Sequence, residues 1–265
     1  MWPSPEHPEY NAVDVGPHRD LVGDLTTSVR AAGMYMGLYH SQREWYHPLY
    51  LKDNNNNCST TDFPDLVGTP SLKDLATRYQ PDIFWADGAG DALCTHDSVA
   101  YWKTPEWAAW LYNTANSLSP GYGDRVVINN RWGSNSGGDY RTGSDRFTPG
   151  HTLPYKWESC FNVQESSWGY DRTGDITDYH NSTSLIYQLV DTVACGGNLL
   201  LNVGPTADGR IMPAFQHRLL EIGAWLQVNG EAIYGTTPWL FTNDTDAARI
   251  WCVILRLTPV EFAAQ

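Results

Sequence analysis

Apolar and polar positions along the chain fall into two alternating patterns. Short apolar runs are typical of buried strands, and longer stretches with one apolar face are typical of amphipathic helices. Five runs predict strands, at residues 34–39, 82–85, 126–129, 156–160 and 198–203. Five stretches predict helices, at residues 17–32, 71–79, 105–117, 184–195 and 213–229. Because strands that alternate with helices favour right-handed crossovers, the sequence predicts a parallel sheet with helices outside it.

The segments that follow the predicted strands are less regular than those that precede them. Each strand ends in polar or aromatic residues, and the stretch from Asp53 to Pro70 is predicted to be a loop. Active sites of (β/α)8 barrels are built from such loops, at the C-terminal ends of the strands. A doubly wound open sheet is the alternative, but no GxGxxG or GxxxxGKS/T phosphate loop follows any strand.

The predicted strands are too few to close a barrel. A closed (β/α)8 barrel has eight strands, and five are predicted here. We therefore expect residues 1–235 to form an incomplete (β/α)8, or TIM-type, barrel. Residues 236–265 show partial alternation of apolar and polar positions, which predicts the beginning of a C-terminal β-sandwich domain that is cut off.

The composition narrows the class of partner. With 30 acidic and 17 basic residues the formal net charge is −13, which argues against a nucleic-acid partner because clustered Lys and Arg bind phosphates. No apolar run approaches the roughly 18 residues of a membrane span, so no membrane partner is expected. The 12 Trp, 15 Tyr and 7 Phe residues suit carbohydrate recognition, since apolar sugar faces stack on rings, although a large core also uses many.

Cysteines and glycosylation sequons bear on the compartment. The five cysteines show no CxxC spacing, which disfavours a zinc or redox site, and an odd number leaves at least one thiol unpaired. Sequons at Asn57, Asn181 and Asn243 favour the secretory route, although such tripeptides are common by chance. We expect a lysosomal or extracellular parent protein. Since residues 1–5 do not form a signal peptide, we also expect the N-terminal part of that protein to be missing here.

Candidate catalytic side chains follow the predicted strands. His40, Asp87, Arg131 and Glu158 lie at strand ends, and Glu165 lies in the loop beyond. Two carboxylates beside Trp residues suit glycoside hydrolysis, in which one carboxylate attacks or stabilises an oxocarbenium-like centre and a second group protonates the leaving oxygen. An Asp after a strand is more often a turn former or a helix cap, so the inventory alone leaves both roles open. The sequence offers no serine nucleophile elbow or metal-ligand cluster of comparable quality.

Longer motifs are more specific than this inventory. They are DVGPHRDLVG at 14–23, GLYHS at 37–41 with Glu44-Trp45, WADG at 85–88, NRWG at 130–133, Trp157-Glu158 through SWGY at 167–170, and Gly197-Asn198 through NVGPT at 202–206. In wording, order and approximate spacing, from about residue 2 to about residue 240, they resemble the α-L-fucosidases of glycoside hydrolase family 29. The similarity is closest to the animal lysosomal or secreted branch.

The resemblance implies a retaining hydrolase that removes terminal α-L-fucose from glycans through a covalent glycosyl-enzyme. Asp87 matches the family's nucleophile. His40 and Arg131 match sugar-binding positions, and Trp85 matches a residue that lines the pocket. The expected partner is a fucosylated glycan, with no cofactor and no metal. A homo-oligomer is left open.

The sequence departs from the family pattern at the acid/base. Relatives of the animal type carry an Asp where Gln164 stands here, and an amide cannot release a proton at neutral pH. The neighbouring Glu165 is the preferred candidate, Glu158 is a second, and the absence of a functional acid is a third alternative. A carboxyl in this role needs a raised pKa.

A second departure is that the first three βα units of the family, with the paired histidines that bind fucose, have no counterpart in this sequence. Five strands cannot close a barrel, so we expect the isolated chain to fold poorly and to hydrolyse aryl α-L-fucosides slowly or not at all. Two further alternatives are a fragment that at most binds fucose or regulates, and a retaining hydrolase of another specificity on the same barrel.

Overall fold

The computed structural model describes residues 1–88, 98–244 and 250–255, and the chain separates into two compact units, Met1–Tyr140 and Arg141–Gln265. The first unit contains α1 (Leu21–Ala31), β1 (Gly37–Ser41), α2 (Pro48–Asn55), α3 (Thr69–Tyr79), β2 (Ile83–Asp87), α4 (Ser98–Tyr101), α5 (Thr104–Leu118) and β3 (Val127–Ile128). The second contains β4 (Trp157–Asn162), α6 (Ser182–Ala194), β5 (Gly197–Asn202), α7 (Pro213–Asn229), β6 (Thr236–Asp244) and β7 (Ile250–Leu255).

The first unit is built on a parallel sheet in the order β1-β2-β3. Leu38 of β1 lies beside Phe84 of β2, and Phe84 lies beside Ile128 of β3. These three side chains are buried with Leu75 of α3 and Trp107 of α5 in one core. Because side chains alternate along a strand, the intervening positions of β1 and β2 lie on the opposite face of the sheet.

A buried carboxylate fixes the beginning of this sheet. Asp82, which directly precedes β2, accepts hydrogen bonds from the backbone N–H of Met36 at 2.9 Å and from Nε of Arg125 at 2.8 Å. Its backbone carbonyl accepts from the N–H of Val127 at 3.0 Å. Asp82, just before β2, is therefore bonded to the residue before β1 and to the first residue of β3, which helps to set the register of the three strands.

The predicted loop from Asp53 to Pro70 is wrong at both ends, because residues 53–55 are the last residues of α2 and the second half is helical as well. The chain is helical from Asp62, and a wider helical turn at Pro64–Gly68 continues into α3. The buried carboxylate of Asp53 accepts hydrogen bonds from the backbone N–H groups of Asp62 at 3.2 Å and Phe63 at 2.8 Å. An acid from the preceding helix thus caps this one, a long-range contact that local sequence patterns do not reveal.

The second unit contains a parallel pair, β4 and β5, and an antiparallel hairpin, β6 and β7. Trp157 of β4 lies beside Gly197 of β5, where a Cβ atom would come within 2.5 Å of the indole ring. The indole N–H of Trp157 donates to the carbonyl of Cys195 at 3.1 Å. Glycine at position 197 therefore leaves room for the Trp157 ring to lie over β5. A separate core cluster of this unit contains Val163, Leu185, Phe215 and Ile222.

The predicted α/β class, with parallel strands that alternate with helices, is confirmed. All five predicted strands and all five predicted helices have counterparts, although β3 contains only two residues. The domain boundary at 235/236 stays a prediction: β6 begins at Thr236, whereas the compact units separate between Tyr140 and Arg141.

Two further features bear on the sequence analysis. None of the described helices has the length and apolar character needed to cross a bilayer. Cys58 is disulfide-bonded, whereas Cys160 and Cys195 are buried free thiols. The chain therefore contains both oxidised and reduced cysteines.

Candidate active site

The C-terminal ends of β1 and β2 bring a set of polar and aromatic side chains onto one face of the sheet. Tyr39 of β1 lies beside Trp85 of β2, and Ser41 lies beside Asp87. The rings of Tyr39 and Trp85 stack with centroids 5.5 Å apart and an interplanar angle of 22°. This face is opposite to the one that Leu38 contributes to the core.

The carboxylate of Asp87 has a partner on each oxygen. The hydroxyl of Tyr39 donates to Oδ2 at 3.1 Å, and Nη1 of Arg131 donates to Oδ1 at 3.3 Å. The backbone carbonyl of Asp87 accepts from the N–H of Gln42 at 2.8 Å. The side chain of Asp87 is 37% exposed and that of Arg131 is 17% exposed. The carboxylate is thus fixed in direction and still accessible, as attack on an external electrophile requires.

Arg131 joins the aromatic pair to the carboxylate. Its guanidinium carbon lies 4.7 Å from the centroid of the Trp85 ring, within the range of a cation–π contact. Arg131 follows Asn129, whose buried side-chain amide accepts from the backbone N–H of Ala86 at 3.0 Å and donates to its carbonyl at 2.9 Å. The end of β2 and the segment that carries Arg131 are therefore held together next to Asp87.

His40 occupies a different environment from the other predicted residues of the first unit. Strand alternation places it on the face of β1 opposite to Tyr39 and Ser41. Burial lowers the pKa of His40 to about 4, opposed by a hydrogen bond with the Gln42 side chain, and its Nδ1 is buried without a hydrogen-bond partner. The structure therefore brings Asp87 together with Trp85 and Arg131 rather than with His40, whose role as a sugar ligand stays a prediction.

The acid/base candidates belong to the second unit. Glu165 lies three residues beyond the end of β4, its side chain is exposed, and its backbone is held by the carbonyl of Asp178 and by Arg146. Gln164 is buried at 3% exposure, its Nε2 donates to the hydroxyl of Ser166 at 3.3 Å, and its Oε1 has no hydrogen-bond partner. Glu158 is half-buried and is the second residue of β4, so its predicted place at the end of this strand is wrong. The amide thus occupies the buried position and the neighbouring carboxylate the exposed one.

The sequence analysis missed two residues of the candidate site. Tyr39 donates to the Asp87 carboxylate, and Asn129 anchors the strand that carries it. Strand alternation could have found Tyr39, because residues 39 and 41 lie on the same face of β1. Tyr39 also lies in the GLYHS motif, from which only His40 was selected. The hydrogen bonds between the Asn129 side chain and the backbone of Ala86 could not be predicted from the local pattern of apolar and polar residues.

Comparison with known proteins identifies the family of this chain. Residues 1–231 match the family described as Alpha-L-fucosidase. The α-L-fucosidase of Branchiostoma floridae is 46% identical over 254 residues, which cover 94% of this chain and 54% of that protein. The tissue α-L-fucosidase of Bos taurus is also 46% identical over 254 residues, 94% of this chain and 52% of that protein. The chain thus spans about half the length of these curated relatives.

Solved structures give the same assignment. The Thermotoga maritima α-fucosidase in complex with fucose matches with a TM-score of 0.71 and 32% identity over 90% of this chain and 52% of that one. A covalent intermediate trapped with 2-fluoro-fucosyl fluoride in the family 29 α-L-fucosidase of Bacteroides thetaiotaomicron matches with a TM-score of 0.70 and 28% identity, over 89% and 56% of the two chains. The chain, which carries part of the barrel of these enzymes, therefore belongs to the α-L-fucosidases of glycoside hydrolase family 29.

Proposed function

We propose that this chain carries the nucleophile side of a retaining α-L-fucosidase site that hydrolyses terminal α-L-fucose from glycans, with Asp87 as the nucleophile. The observation that supports this most directly is the accessible Asp87 carboxylate, which Tyr39 and Arg131 hold at the C-terminal end of β2. This is the end of the strand at which (β/α)8 enzymes carry their catalytic groups. A covalent intermediate in a relative supports the retaining route.

The roles in the first half-reaction follow from the geometry around Asp87. An oxygen of Asp87 attacks the anomeric carbon, the bond to the leaving oxygen breaks, and that oxygen takes a proton from a general acid. Tyr39 and Arg131 keep the attacking carboxylate in line, so that little rotational freedom is lost on reaction. Trp85 offers an apolar ring face to the sugar, on the same side of the sheet. Water then hydrolyses the ester that links Asp87 to the sugar.

Glu165 is the proposed acid/base of this reaction, and Glu158 is the alternative. Exposure of the Glu165 side chain at the end of β4 supports access to a leaving group and to water. Gln164 has the more buried position but, as an amide, has no proton to give. Bound glycan would have to exclude water from the exposed Glu165 carboxyl for it to deliver a proton to the leaving oxygen.

A second candidate function is reversible binding of fucose without turnover. The specific observation that favours it is the buried Gln164 side chain beside an exposed Glu165, because a site that lacks a buried acid protonates poor leaving groups slowly. On this alternative, Asp87, Arg131 and Trp85 would serve only to bind sugar.

The proposed partner is therefore a fucosylated glycan. The proposed location of the protein is a lysosomal or extracellular compartment. The disulfide at Cys58 supports an oxidising compartment. The sequon residues Asn57 and Asn181 are exposed, as glycosylation requires, although Asn181 also caps α6.

Covalent labelling tests the proposed function. We expect 2-fluoro-fucosyl fluoride to add the mass of one fluorofucosyl group to the peptide that contains Asp87, and the Asp87→Ala variant to remain unlabelled. Reversible binding of fucose without labelling would support the binding function instead. If the chain shows neither labelling nor binding of fucose, that result would contradict both candidate functions.

A further inference from the structure

A second group of chemistry-bearing side chains lies in the first unit, apart from the contacts of Asp87. His7 comes from the N-terminal segment, and Glu44 and His47 come from the connection between β1 and α2. Each offers one ligand atom, and these atoms lie within 4.8 Å of one another. Within residues 1–88, 98–244 and 250–255, this is the one group of three such side chains placed so closely. We call it the His7 cluster.

The geometry of the His7 cluster combines close contact with access to solvent. Nε2 of His7 lies 3.0 Å from Oε1 of Glu44, and their side chains are 22% and 43% exposed. The ring of His47 meets that of His7 edge-on, with centroids 5.9 Å apart. An ion can therefore enter from solvent and retain water on its open side.

Contacts outside the cluster limit the freedom of both histidines. The carbonyl of His7 accepts from the backbone N–H of Tyr10 at 3.1 Å and from Nδ2 of Asn11 at 3.0 Å, which fixes its main chain. The ring of His47 packs edge-on against Phe63, with centroids 5.1 Å apart. Because the backbone and one ring are already held, little conformational entropy is lost when a ligand draws the three side chains together.

We propose that His7, Glu44 and His47 bind a divalent cation of the zinc type, with water completing the coordination. Two imidazoles and one carboxylate form a ligand set that suits Zn²⁺. Ligand atoms around a tetrahedral Zn²⁺ lie about 3.3 Å apart, so closure from within 4.8 Å needs movements of no more than about 1.5 Å. The net charge of −13 also favours a cation over an anion.

Binding has a local cost at the beginning of α2. Nδ1 of His47 accepts a hydrogen bond from the backbone N–H of Leu49 at 3.2 Å and thereby caps the helix. Coordination through Nδ1 displaces this bond directly, and coordination through Nε2 requires the proton on Nδ1, which abolishes it as well. The Leu49 amide therefore reports on occupancy.

Occupancy would connect the N-terminal segment to the loop that follows β1. This loop begins at Gln42, whose N–H donates to the carbonyl of Asp87. The ion would thus hold the loop beside the candidate nucleophile without contacting the reacting atoms, which is a stabilising role rather than a catalytic one.

Isothermal titration of the chelator-treated, tag-free 265-residue chain with ZnCl2 tests the proposal. We expect one Zn²⁺ per chain, with affinity lowered at least about tenfold in His7→Ala and in His47→Ala. The matched control is His217→Ala, because His217 forms a similar pair with Glu221 at 3.1 Å that is not part of a triad. We expect this control to bind within about twofold of the unsubstituted chain.

Glu44→Gln keeps the shape of the side chain and removes its charge, so it serves if an alanine variant fails to fold. We expect Glu44→Gln to weaken Zn²⁺ binding at least about tenfold at unchanged far-UV circular dichroism. In the amide spectrum of the unsubstituted chain, Zn²⁺ should shift the Leu49 resonance. No binding by the folded chain, or binding that the three cluster variants leave unchanged, would overturn the proposal.

Discussion

The two units carry their candidate catalytic groups in contrasting ways. Asp87 ends a strand, and its partners Tyr39 and Arg131 come from a neighbouring strand and a segment tied to the same sheet. Glu165 lies beyond its strand with an exposed side chain, and its backbone is held by Asp178 and Arg146. Sheet register fixes the first carboxylate before any substrate arrives, whereas the second must gain its environment from the substrate. A nucleophile needs a fixed direction, and the chain supplies this for Asp87 without any substrate.

The largest effect is expected at Asp87. Substitution by Ala removes the attacking oxygen, so hydrolysis of an aryl α-L-fucoside should fall about 10⁴-fold or more, as loss of a catalytic nucleophile does elsewhere. Initial rates of the purified chain measure this. Asp24→Asn, which removes an exposed carboxylate paired with Arg19, should change the rate less than about twofold. Equal rates above the uncatalysed background in Asp87→Ala and the unsubstituted chain would show that Asp87 is not the nucleophile.

The next effect distinguishes the two acid candidates. Glu165→Gln should lower kcat/KM about 10²- to 10⁴-fold on substrates with a poor leaving group and much less on those with a good one, because only the former need protonation. Loss of the base, in contrast, slows hydrolysis of the glycosyl-enzyme for both. Added azide should restore turnover of the activated substrate by attacking the glycosyl-enzyme. Glu158→Gln is the matched comparison, and it should leave the rate of hydrolysis of both substrates nearly unchanged. The reverse pattern would assign proton transfer to Glu158.

Tyr39→Phe tests whether the hydrogen bond to Asp87 contributes to catalysis. Because Tyr39 is 60% exposed, its bond should contribute toward the lower end of the ~1.5–3 kcal/mol typical of a charged partner, so kcat should fall about tenfold with KM little changed. Tyr35→Phe, at a neighbouring exposed position, is the control. An increase in KM at constant kcat would indicate a role in sugar binding instead.

Asp82→Ala tests how far strand register supports the Asp87 carboxylate. Removal of its hydrogen bonds to Met36 and Arg125 should lower the free energy of unfolding by about 1–3 kcal/mol, measured by urea denaturation. The exposed Asp24→Ala control should stay within about 0.5 kcal/mol. Unchanged stability in Asp82→Ala would mean that packing alone sets the register.

His40 gives the first unit a dependence on pH. Its pKa is about 4 in the folded chain against about 6.5 unfolded, so the unfolded state binds the extra proton and stability falls as pH drops from about 6.5 to 4. Over this window His40→Asn should lose about 2–3 kcal/mol less stability than the unsubstituted chain, as urea midpoints at several pH values would report. Identical pH profiles would contradict the buried, neutral state of His40.

The sequence predicted most of the framework because hydrophobic periodicity reports which face of each element is buried. The strands and helices around Phe84 and Trp107 follow from such patterns. The helix after Asp62 did not, because its cap is a side chain from the preceding helix, brought close only by folding.

The candidate site was predictable to a similar extent. Asp87 and Arg131 were identified from motifs, and alternation along β1 would have added Tyr39. The half-buried position of His40 was not foreseen, although alternation along β1 places its side chain on the same face as Leu38 and opposite to Tyr39. The His7 cluster was also missed, because 36 residues separate His7 from Glu44 and only the fold brings them together.

Asn129 allows the shortest strand of the first unit to be only two residues long. Its side-chain amide supplies the donor and the acceptor that another peptide unit of an adjoining strand would have offered to Ala86. The main chain can consequently leave the sheet one step early without stranding a peptide group in the interior. Aspartate at position 129 would have no N–H to donate to the carbonyl of Ala86. Replacement of one amide nitrogen by oxygen would therefore leave this carbonyl without the donor that a backbone strand would have supplied.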